Sequence, residues 1–186
     1  MIKMILAVDR GNAIGRANGD LPWKVPNDMK RFAALTAGST VVMGHNTFKS
    51  LGRIDGLPGR RNVVISQNPL GVRAHCGDDV EVTNTLDWVV AHQECLGCTS
   101  PDIWIIGGAQ LYTAALDRGI VDEIYLTLID VDSGAEVTMG KYDFSAWKLF
   151  VLDQQKRGIQ WDITQLAPVS LIGQPCHTFI TLEKLK

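Results

Sequence analysis

The chain alternates short, β-branched apolar runs with segments in which apolar residues recur at helical spacing. This alternation predicts an α/β fold in which a mostly parallel central sheet has helices on its faces. Up to residue 129 the predicted strands are Ile2–Val8, Thr40–Met43, Asn62–Ser66, Ile103–Ile106 and Glu123–Ile129. The predicted helices are Asn27–Thr36, Asn46–Leu51, Thr85–Glu94 and Ala109–Leu116.

Beyond Asp130 the pattern changes to two strand-like segments, Trp147–Leu152 and His177–Leu185, with no helical pattern between them. An antiparallel hairpin that closes one edge of the sheet is the arrangement this pattern favours. No internal repeat and no Ser/Pro-rich linker divides the chain, whose 186 residues are close to the size of one domain. We therefore expect residues 1–186 to form a single domain.

Composition excludes several classes of protein. Hydrophobic residues make up 46% of the chain, enough for a sizeable core and too much for a disordered protein. The apolar runs are far shorter than the roughly 18 to 20 residues of a membrane span, and residues 1–8 do not resemble a secretory leader. With 18 basic and 20 acidic residues the chain also lacks the positive charge of a nucleic-acid-binding protein. We expect a cytoplasmic monomer that binds neither nucleic acid nor membrane.

The cysteines offer one metal-like spacing, in which His92, Cys95 and Cys98 follow one another at intervals of three. A zinc site would need a fourth ligand, which only the regions around Cys76 or Cys176 could provide. Four cysteines are too few for a disulfide scaffold in a chain of this length. Free thiols and no metal are therefore expected.

Asp28 is the most informative acidic residue. An acid in the first turn of a helix usually serves only to interact with the helix dipole. Here Asp28 stands four and seven residues before Phe32 and Leu35, so its carboxylate shares a face with apolar side chains. This placement indicates a carboxylate that accepts a bidentate hydrogen bond from an amidine-like group of a ligand.

Two turns from strand to helix carry glycines. Gly44 follows the strand Thr40–Met43, and the pair Gly107 and Gly108 follows Ile103–Ile106. Glycine allows close backbone approach, and the first turn of a helix offers unpaired N–H groups to a phosphate. Two such turns facing one crevice could hold the two ends of a dinucleotide, although the Gly-Gly pair lacks the full G-x-G-x-x-G pattern and a purely structural turn is the alternative.

Several motifs, taken together and in order, resemble the dihydrofolate reductase family. They are Asn18-Gly19-Asp20-Leu21-Pro22-Trp23 with Pro26 and Asp28, Val42-Met43-Gly44 with Thr47 and Ser50, Leu57-Pro58-Gly59-Arg60-Arg61-Asn62, Ile105-Ile106-Gly107-Gly108 with Tyr112, and Tyr125-Leu126-Thr127. The likeness runs from about residue 2 to residue 130 and includes the final strand. Residues 131–175 are only loosely similar, so the resemblance does not identify the partner of the active-site lid.

The resemblance implies an oxidoreductase of tetrahydrofolate biosynthesis and one-carbon metabolism, which uses NADPH to reduce 7,8-dihydrofolate to 5,6,7,8-tetrahydrofolate. Asp28 would hold N3 and the 2-amino group of the pterin, Thr127 would support that carboxylate, and Arg60 would bind the α-carboxylate of the glutamate tail. The segment Ile14–Trp23 would be a mobile lid over the nicotinamide. The residues implied in catalysis are Leu21, Trp23, Asp28 and Thr127.

The substrate pocket implied by the resemblance consists of Ile5, Ala7, Asp28, Met29, Phe32, Leu51, Arg60, Ile106, Tyr112 and Thr127. The cofactor site consists of Ala7, Ile14, Gly15, Gly44, His45, Asn46, Thr47, Ser66, Gln67, Ile106, Gly107, Gly108, Ala109, Gln110, Leu111 and Tyr112. The chain departs from the family where the 2′-phosphate would bind, because His45, Gln67 and Gln110 occupy positions that are usually basic. Only His45 of these three can carry a charge.

Two other functions fit the same fold. One is the related reductase of riboflavin synthesis, which acts on a ribosylaminopyrimidine; Asp28, placed after Pro-Trp-x-x-Pro, argues against it. The other is a protein that has kept the fold without catalysis, such as a virion component or a dinucleotide sensor. Oxidation of NADPH in the presence of dihydrofolate separates all three.

Overall fold

The computed structural model describes residues 1–93, 102–140, 147–151, 175 and 177–184. Its strands are β1 (Ile2–Asp9), β2 (Ala13–Gly15), β3 (Thr40–Gly44), β4 (Arg61–Ile65), β5 (Val80–Thr83), β6 (Ile103–Gly107), β7 (Glu123–Ile129), β8 (Val137–Thr138), β9 (Trp147–Val151) and β10 (His177–Lys184). Its helices are α1 (Pro26–Thr36), α2 (His45–Ser50), α3 (Pro69–Arg73), α4 (Asp87–Gln93) and α5 (Ala109–Asp117).

Eight strands form one sheet in the order β5-β4-β3-β6-β1-β7-β10-β9. Neighbours from β5 to β7 are parallel, and β10 runs antiparallel to both β7 and β9. The predicted fold class, a mostly parallel sheet closed by an antiparallel hairpin at one edge, is confirmed. The central strands are mainly apolar, as expected for strands whose sheet is covered by helices on both faces.

The two largest apolar clusters of the described core lie on opposite faces of the sheet. On one face Met4 and Leu6 pack with residues of α5, and on the other Ile5 packs with Phe32 of α1 and Leu51, which follows α2. Side chains in a strand alternate between faces, so β1 contributes to both clusters. Asp28, in the first turn of α1, therefore faces the same side of the sheet as Ile5.

Four short elements escaped the sequence prediction: β2, β5, β8 and α3. Strands of two to four residues carry too few positions to show a period. Helix α3 did carry a signal, because Pro69 occupies its first turn and the Asn68 side chain accepts a hydrogen bond from Gly71 N at 3.0 Å. Helix α4 is shorter than predicted: Asp87 N donates to Thr85 Oγ1, so Thr85 precedes the helix, and Glu94 lies outside the described residues.

Within the described parts of the chain, none of the helices is both long and apolar enough to cross a membrane.

Candidate active site

Most of the predicted site residues lie towards the carboxyl ends of the parallel strands, where open α/β sheets bind their ligands, whereas Arg60 directly precedes β4. Strand register sets Ala7 of β1 beside Thr127 of β7, and Met43 of β3 opposite Gly107 of β6. The lid segment, the start of α1 and the glycine turns all follow these strand ends in the chain. Residues that are distant in sequence are thus brought to one edge of the sheet.

Asp28 and Thr127 form a close side-chain pair. Thr127 Oγ1 donates to Asp28 Oδ1 at 2.6 Å, and Thr127 is fully buried whereas Asp28 is half-buried. Helix α1 begins at Pro26, which places the carboxylate of Asp28 in the first turn. A carboxylate accepts up to about four hydrogen bonds, so Asp28 keeps acceptor capacity for a ligand after binding Thr127.

A cavity of about 280 Å³ opens between the lid segment and the start of α1. It is lined by Leu21, Trp23, Lys24, Val25, Pro26, Asp28 and Met29. Leu21 and Met29 are each about half exposed, whereas Trp23 is buried and packs with Val25 and Ile129. Trp23 is thus fixed at the base of the lid, and its buried Nε1 finds no hydrogen-bond partner among the described residues.

The residues predicted to form the apolar wall fall into two groups in the structure. Ile5, Phe32, Leu51 and Ile106 belong to the same apolar cluster. Tyr112 is buried, and its hydroxyl donates to the Ile5 carbonyl at 2.7 Å, which ties α5 to β1. Burial, reinforced by the charge of Asp28, raises the pKa of Tyr112 far above its ordinary value, so this phenol stays neutral.

Arg60 is held against the end of α1 by three hydrogen bonds. Its Nε donates to Thr36 Oγ1 at 2.9 Å, its Nη1 to the Pro58 carbonyl at 2.7 Å and its Nη2 to the Ala33 carbonyl at 3.0 Å. Its guanidinium lies 5.9 Å from the Phe32 ring. Neutral acceptors orient the group without neutralising its charge, so Arg60 can still attract a carboxylate.

The two glycine turns approach each other closely. A Cβ added to Gly107 would lie 3.2 Å from Tyr112 Oη, and one added to Gly108 would lie 3.3 Å from Thr47 Oγ1. Gly107 also has a φ of +125°, a conformation that side chains disfavour. Neither α2 nor α5 has a side-chain N-cap, so their first-turn N–H groups remain available to a pyrophosphate. Together, the two glycine turns and the first turns of α2 and α5 fit a dinucleotide.

The region predicted to bind the 2′-phosphate contains more positive charge than the sequence motifs indicated. Burial lowers the pKa of His45 below its ordinary value, and the nearby charges of Lys49 and His75 lower it further. Lys49 lies one turn along α2 from His45, while His75 comes from a separate segment just after α3. The i to i+4 spacing of His45 and Lys49 could have been noticed in the sequence, but nothing local pointed to His75.

Gln67 and Gln110 are exposed, and Ser66 Oγ accepts a hydrogen bond from Asn68 N at 3.1 Å. Arg73, an obvious basic alternative in this region, donates instead to the Val80 carbonyl.

The lid is attached to residues 131–140, which belong to the stretch 131–175 that is only loosely similar to the family. Strand β2 of the lid pairs with β8, and Met139 N donates to the Asn12 carbonyl at 2.9 Å. Glu136 accepts from Ala17 N at 3.2 Å. The short pairing of β2 and β8 carries Ile14 and Gly15, both predicted to contact the cofactor.

Asp9, the last residue of β1 and shortly before the lid, is the centre of a second attachment. Its Oδ1 accepts from Gly11 N and Ala13 N, both at 2.9 Å, and its Oδ2 accepts from Ser133 N at 3.0 Å and from the Ser133 hydroxyl. Burial alone would raise the pKa of Asp9, but these hydrogen bonds outweigh it and the pKa lies below its ordinary value. Asp9 therefore joins both segments as an ionised carboxylate.

In the described part of the chain, no group of three or more His, Cys, Asp or Glu residues could hold a metal ion. His92 stacks on Trp88, with ring centroids 3.7 Å apart. Cys95, Cys98 and Cys176 lie outside the described residues.

Comparison with known proteins gives consistent matches. The family model described as dihydrofolate reductase matches residues 1–166. The chain is 40% identical over 148 residues to dihydrofolate reductase type 3 of Salmonella typhimurium, covering 80% of this chain and 83% of that protein. It is 35% identical over 154 residues to dihydrofolate reductase of Bacillus subtilis, covering 83% and 84%.

A solved structure of dihydrofolate reductase from Enterococcus faecalis, complexed with NADP(H) and RAB-propyl, matches the fold with a TM-score of 0.79. The two sequences are 23% identical, and the match covers 100% of this chain and 97% of the other.

Proposed function

The chain belongs to the dihydrofolate reductase family, and we propose that the Asp28–Thr127 pair is the part of its site that binds and activates the pterin. The enzyme is an oxidoreductase that reduces 7,8-dihydrofolate to 5,6,7,8-tetrahydrofolate with NADPH. Family membership decides among the alternatives that the sequence left open in favour of the folate enzyme.

Asp28 binds the pterin through its carboxylate. The amidine-like face formed by N3 and the 2-amino group presents two parallel donors, which match the two carboxylate oxygens. Thr127 already donates to Oδ1 at 2.6 Å and so fixes the orientation of the carboxylate before a ligand arrives. Ile5, Phe32 and Ile106, which share an apolar cluster, form the wall against which the ring system packs.

The reaction adds a hydride to C6 of the substrate and a proton to N5. NADPH supplies the hydride when it is bound. Gly44, Gly107, Gly108 and Thr47 would hold its pyrophosphate, and His45 its 2′-phosphate. Because the Tyr112 phenol is neutral and committed to Ile5, the proton reaches N5 through water, with Asp28 favouring the protonated pterin through its negative charge.

The lid excludes bulk water from the reacting atoms. Closure over the site strengthens the electrostatic effect of Asp28 and prevents loss of the proton to solvent. Leu21 and Trp23 face the cavity next to Asp28, which suits a role at the rim of the nicotinamide pocket. Attachment of the lid to residues 133–139 holds these two side chains in place.

We further propose that residues 1–186 act as a single domain, because strands near both ends of the chain lie in the same sheet. The protein works as a cytoplasmic monomer without nucleic-acid partners, in keeping with its net charge of −2.

The test is the loss of absorbance at about 340 nm when NADPH is oxidised in the presence of dihydrofolate. Asp28→Asn keeps the size of the side chain but removes its charge, so kcat/KM should fall about a hundredfold or more at neutral pH. The exposed Asp79 provides the control: Asp79→Asn removes one negative charge elsewhere and should leave kcat/KM unchanged. An Asp28→Asn enzyme within about threefold of the parent would refute the role of Asp28.

A further inference from the structure

Arg31 is a cation enclosed next to the pair formed by Asp28 and Thr127. It lies three residues after Asp28 in α1, and its Cζ is 4.6 Å from the ring centroid of Phe179 and 5.6 Å from that of Tyr125. Its Nη1 is 3.5 Å from Thr127 Oγ1, and its buried Nη2 has no hydrogen-bond partner among the described residues. Two aromatic rings thus hold the guanidinium in place.

No acid in the described part of the chain lies within ion-pair distance of Arg31. The carboxylates of Asp102 and Glu123, which also act on Tyr125, lie 2.6 and 3.5 Å from Lys3 Nζ. Burial lowers the pKa of Arg31, while the charge of Asp28 and the Tyr125 hydroxyl partly offset this effect. An arginine stays protonated at neutral pH even so, and Asp28 is the acid whose charge acts on it.

The contact with Thr127 has a definite direction. A guanidinium can only donate hydrogen bonds, so Thr127 Oγ1 accepts from Arg31. The single hydroxyl proton of Thr127 is then free for Asp28 Oδ1, which it reaches at 2.6 Å. Arg31 therefore fixes the orientation of the Thr127 hydroxyl, which in turn fixes the orientation of the Asp28 carboxylate.

We propose that Arg31 is a positioning residue for the reaction: it fixes Thr127 as a donor to Asp28 and sets, through its charge, the pH range in which the enzyme works. The proposal rests on the role of Asp28 proposed above. Arg31 acts through Thr127 and through the electric field at the pterin site.

The other charged and titratable groups near Asp28 do not duplicate this effect. Tyr112 of α5 stays neutral because its pKa is raised. Burial, together with the charge of Glu123, also raises the pKa of Tyr125 of β7. Lys24 lines the cavity from the loop before α1, but it is exposed and solvent screens its charge.

Removing the positive charge of Arg31 should shift the pH profile in one direction. Protonation of N5 becomes easier without a nearby cation, so the profile of kcat/KM moves to higher pH. The Arg31 guanidinium reaches the site through the hydroxyl of Thr127, which it shares with Asp28. For a charge acting across such a contact under partial solvent screening, the shift should be about one pH unit.

The experiment measures kcat/KM with NADPH and dihydrofolate from about pH 5 to about pH 9 in four proteins. They are the parent, Arg31→Leu, Arg31→Lys and the control Lys30→Leu, which removes one positive charge from an exposed position on the same helix. Arg31→Leu should shift the profile by about one pH unit. Arg31→Lys, which keeps the positive charge, should give a profile close to that of the parent, and Lys30→Leu should match the parent. Circular dichroism confirms folding; should the leucine variant fail to fold, Arg31→Gln takes its place with the same expected shift.

The proposal is overturned if the profile of the charge-removing variant coincides with that of the parent, or if Lys30→Leu shifts it equally. Asp28→Asn, measured alongside, separates the two hypotheses. A large loss in Asp28→Asn with an unmoved Arg31→Leu profile refutes the role of Arg31 alone. A near-normal Asp28→Asn enzyme refutes the role of Asp28 on which the inference rests.

Discussion

At the scale of single residues, Arg60 and Arg61 are neighbours with separate tasks. Arg60 is oriented by Thr36 and two carbonyls near the wall of the substrate pocket, whereas Arg61 pairs with Glu81 at 2.5 Å. Arg60→Leu should raise KM for dihydrofolate about thirtyfold or more with little change in kcat, because the glutamate tail is far from the reacting atoms. Steady-state kinetics of both leucine variants decide the matter: a KM effect in Arg61→Leu that is missing in Arg60→Leu would contradict the assignment.

His45 should make cofactor preference depend on pH. Its pKa in the free enzyme lies below 6.5 because of burial and of Lys49 and His75, and a bound phosphate dianion should raise it. The preference for NADPH over NADH should therefore be greatest at low pH and decline as pH rises towards the pKa of the bound state. The measurement is KM for both cofactors from about pH 5.5 to about pH 8.5 in the parent and in His45→Gln.

His75 provides the control for that experiment. His75→Gln removes the group whose charge acts less strongly on His45 than that of Lys49, and it should weaken the preference less than His45→Gln does. A ratio that stays flat across the pH range in the parent, or that survives His45→Gln unchanged, would show that another residue binds the phosphate.

Local sequence patterns predicted the helix face that carries Asp28, but not the residues that other segments bring to the site. The helical spacing of Asp28, Phe32 and Leu35 predicted a carboxylate on an apolar face, and the structure places all three on the helix that covers the Ile5 side of the sheet. Local patterns could not pair Asp28 with Thr127, because 99 residues separate them; only the family resemblance suggested it. The positions of Arg31 and His75 depend on packing between distant segments, which no local pattern encodes.

At the scale of elements, the lid depends on Asp9. Its buried carboxylate accepts from Gly11 N, Ala13 N and both donors of Ser133. Asp9→Asn replaces one acceptor by a donor that faces N–H groups, and should lower the free energy of unfolding by about 2 to 4 kcal/mol at neutral pH. Urea denaturation measures this difference.

The pH dependence of that difference follows from the lowered pKa of Asp9. A depressed pKa in the folded state stabilises the protein above the unfolded value, about 3.8, and this stabilisation is lost as pH falls through the folded-state pKa. Parent and Asp9→Asn should therefore differ fully at neutral pH and converge in acid. Asp132→Asn, an exposed acid of the same segment, is the control; an equal loss there would argue against a special role for Asp9.

Long elements were predicted and short ones were not, for a physical reason. The apolar runs of β1, β3 and β6 are buried on both faces and stand out in the sequence. Strand β2 has three residues and β8 has two, and the two strands lie more than 120 positions apart in the sequence. Its stability comes from the contacts of Asp9, at the end of β1, and of Asn12 and Ala17, which lie in loops that the sequence pattern does not mark.

At the scale of the whole molecule, the position of the site follows from the order of the strands. After β1 the chain forms β3, β4 and β5 in order towards one edge of the sheet. It then returns to place β6 on one side of β1 and β7 on the other side of β1. Crevices form at the carboxyl ends of strands where the chain changes direction in this way. The alternation of elements predicted a parallel sheet, but the insertion of β6 between β1 and β3 depends on which apolar faces pack best, and that could not be read from the pattern.

Lys3 of β1 connects the three central strands and should affect the stability of the entire sheet. Burial would lower its pKa, but Asp102 before β6 and Glu123 of β7, aided by Tyr125, outweigh that effect and raise it. A raised pKa stabilises the folded state below the unfolded value, about 10.5, and the stabilisation disappears as pH rises through the folded-state pKa. Lys3→Met should lower the free energy of unfolding by about 1 to 2 kcal/mol at neutral pH, since Asp102 is partly exposed and screened.

Urea denaturation of the parent, Lys3→Met and the exposed control Lys30→Met, at neutral pH and at about pH 11, tests this prediction. Parent and Lys3→Met should draw together at the higher pH, because the Lys3 ammonium then begins to lose its proton and with it the attraction to Asp102 and Glu123. Lys30→Met should show no such convergence. If the gap between parent and Lys3→Met were the same at both pH values, the contribution of Lys3 would be one of packing against Trp104 and Tyr125 and not of charge.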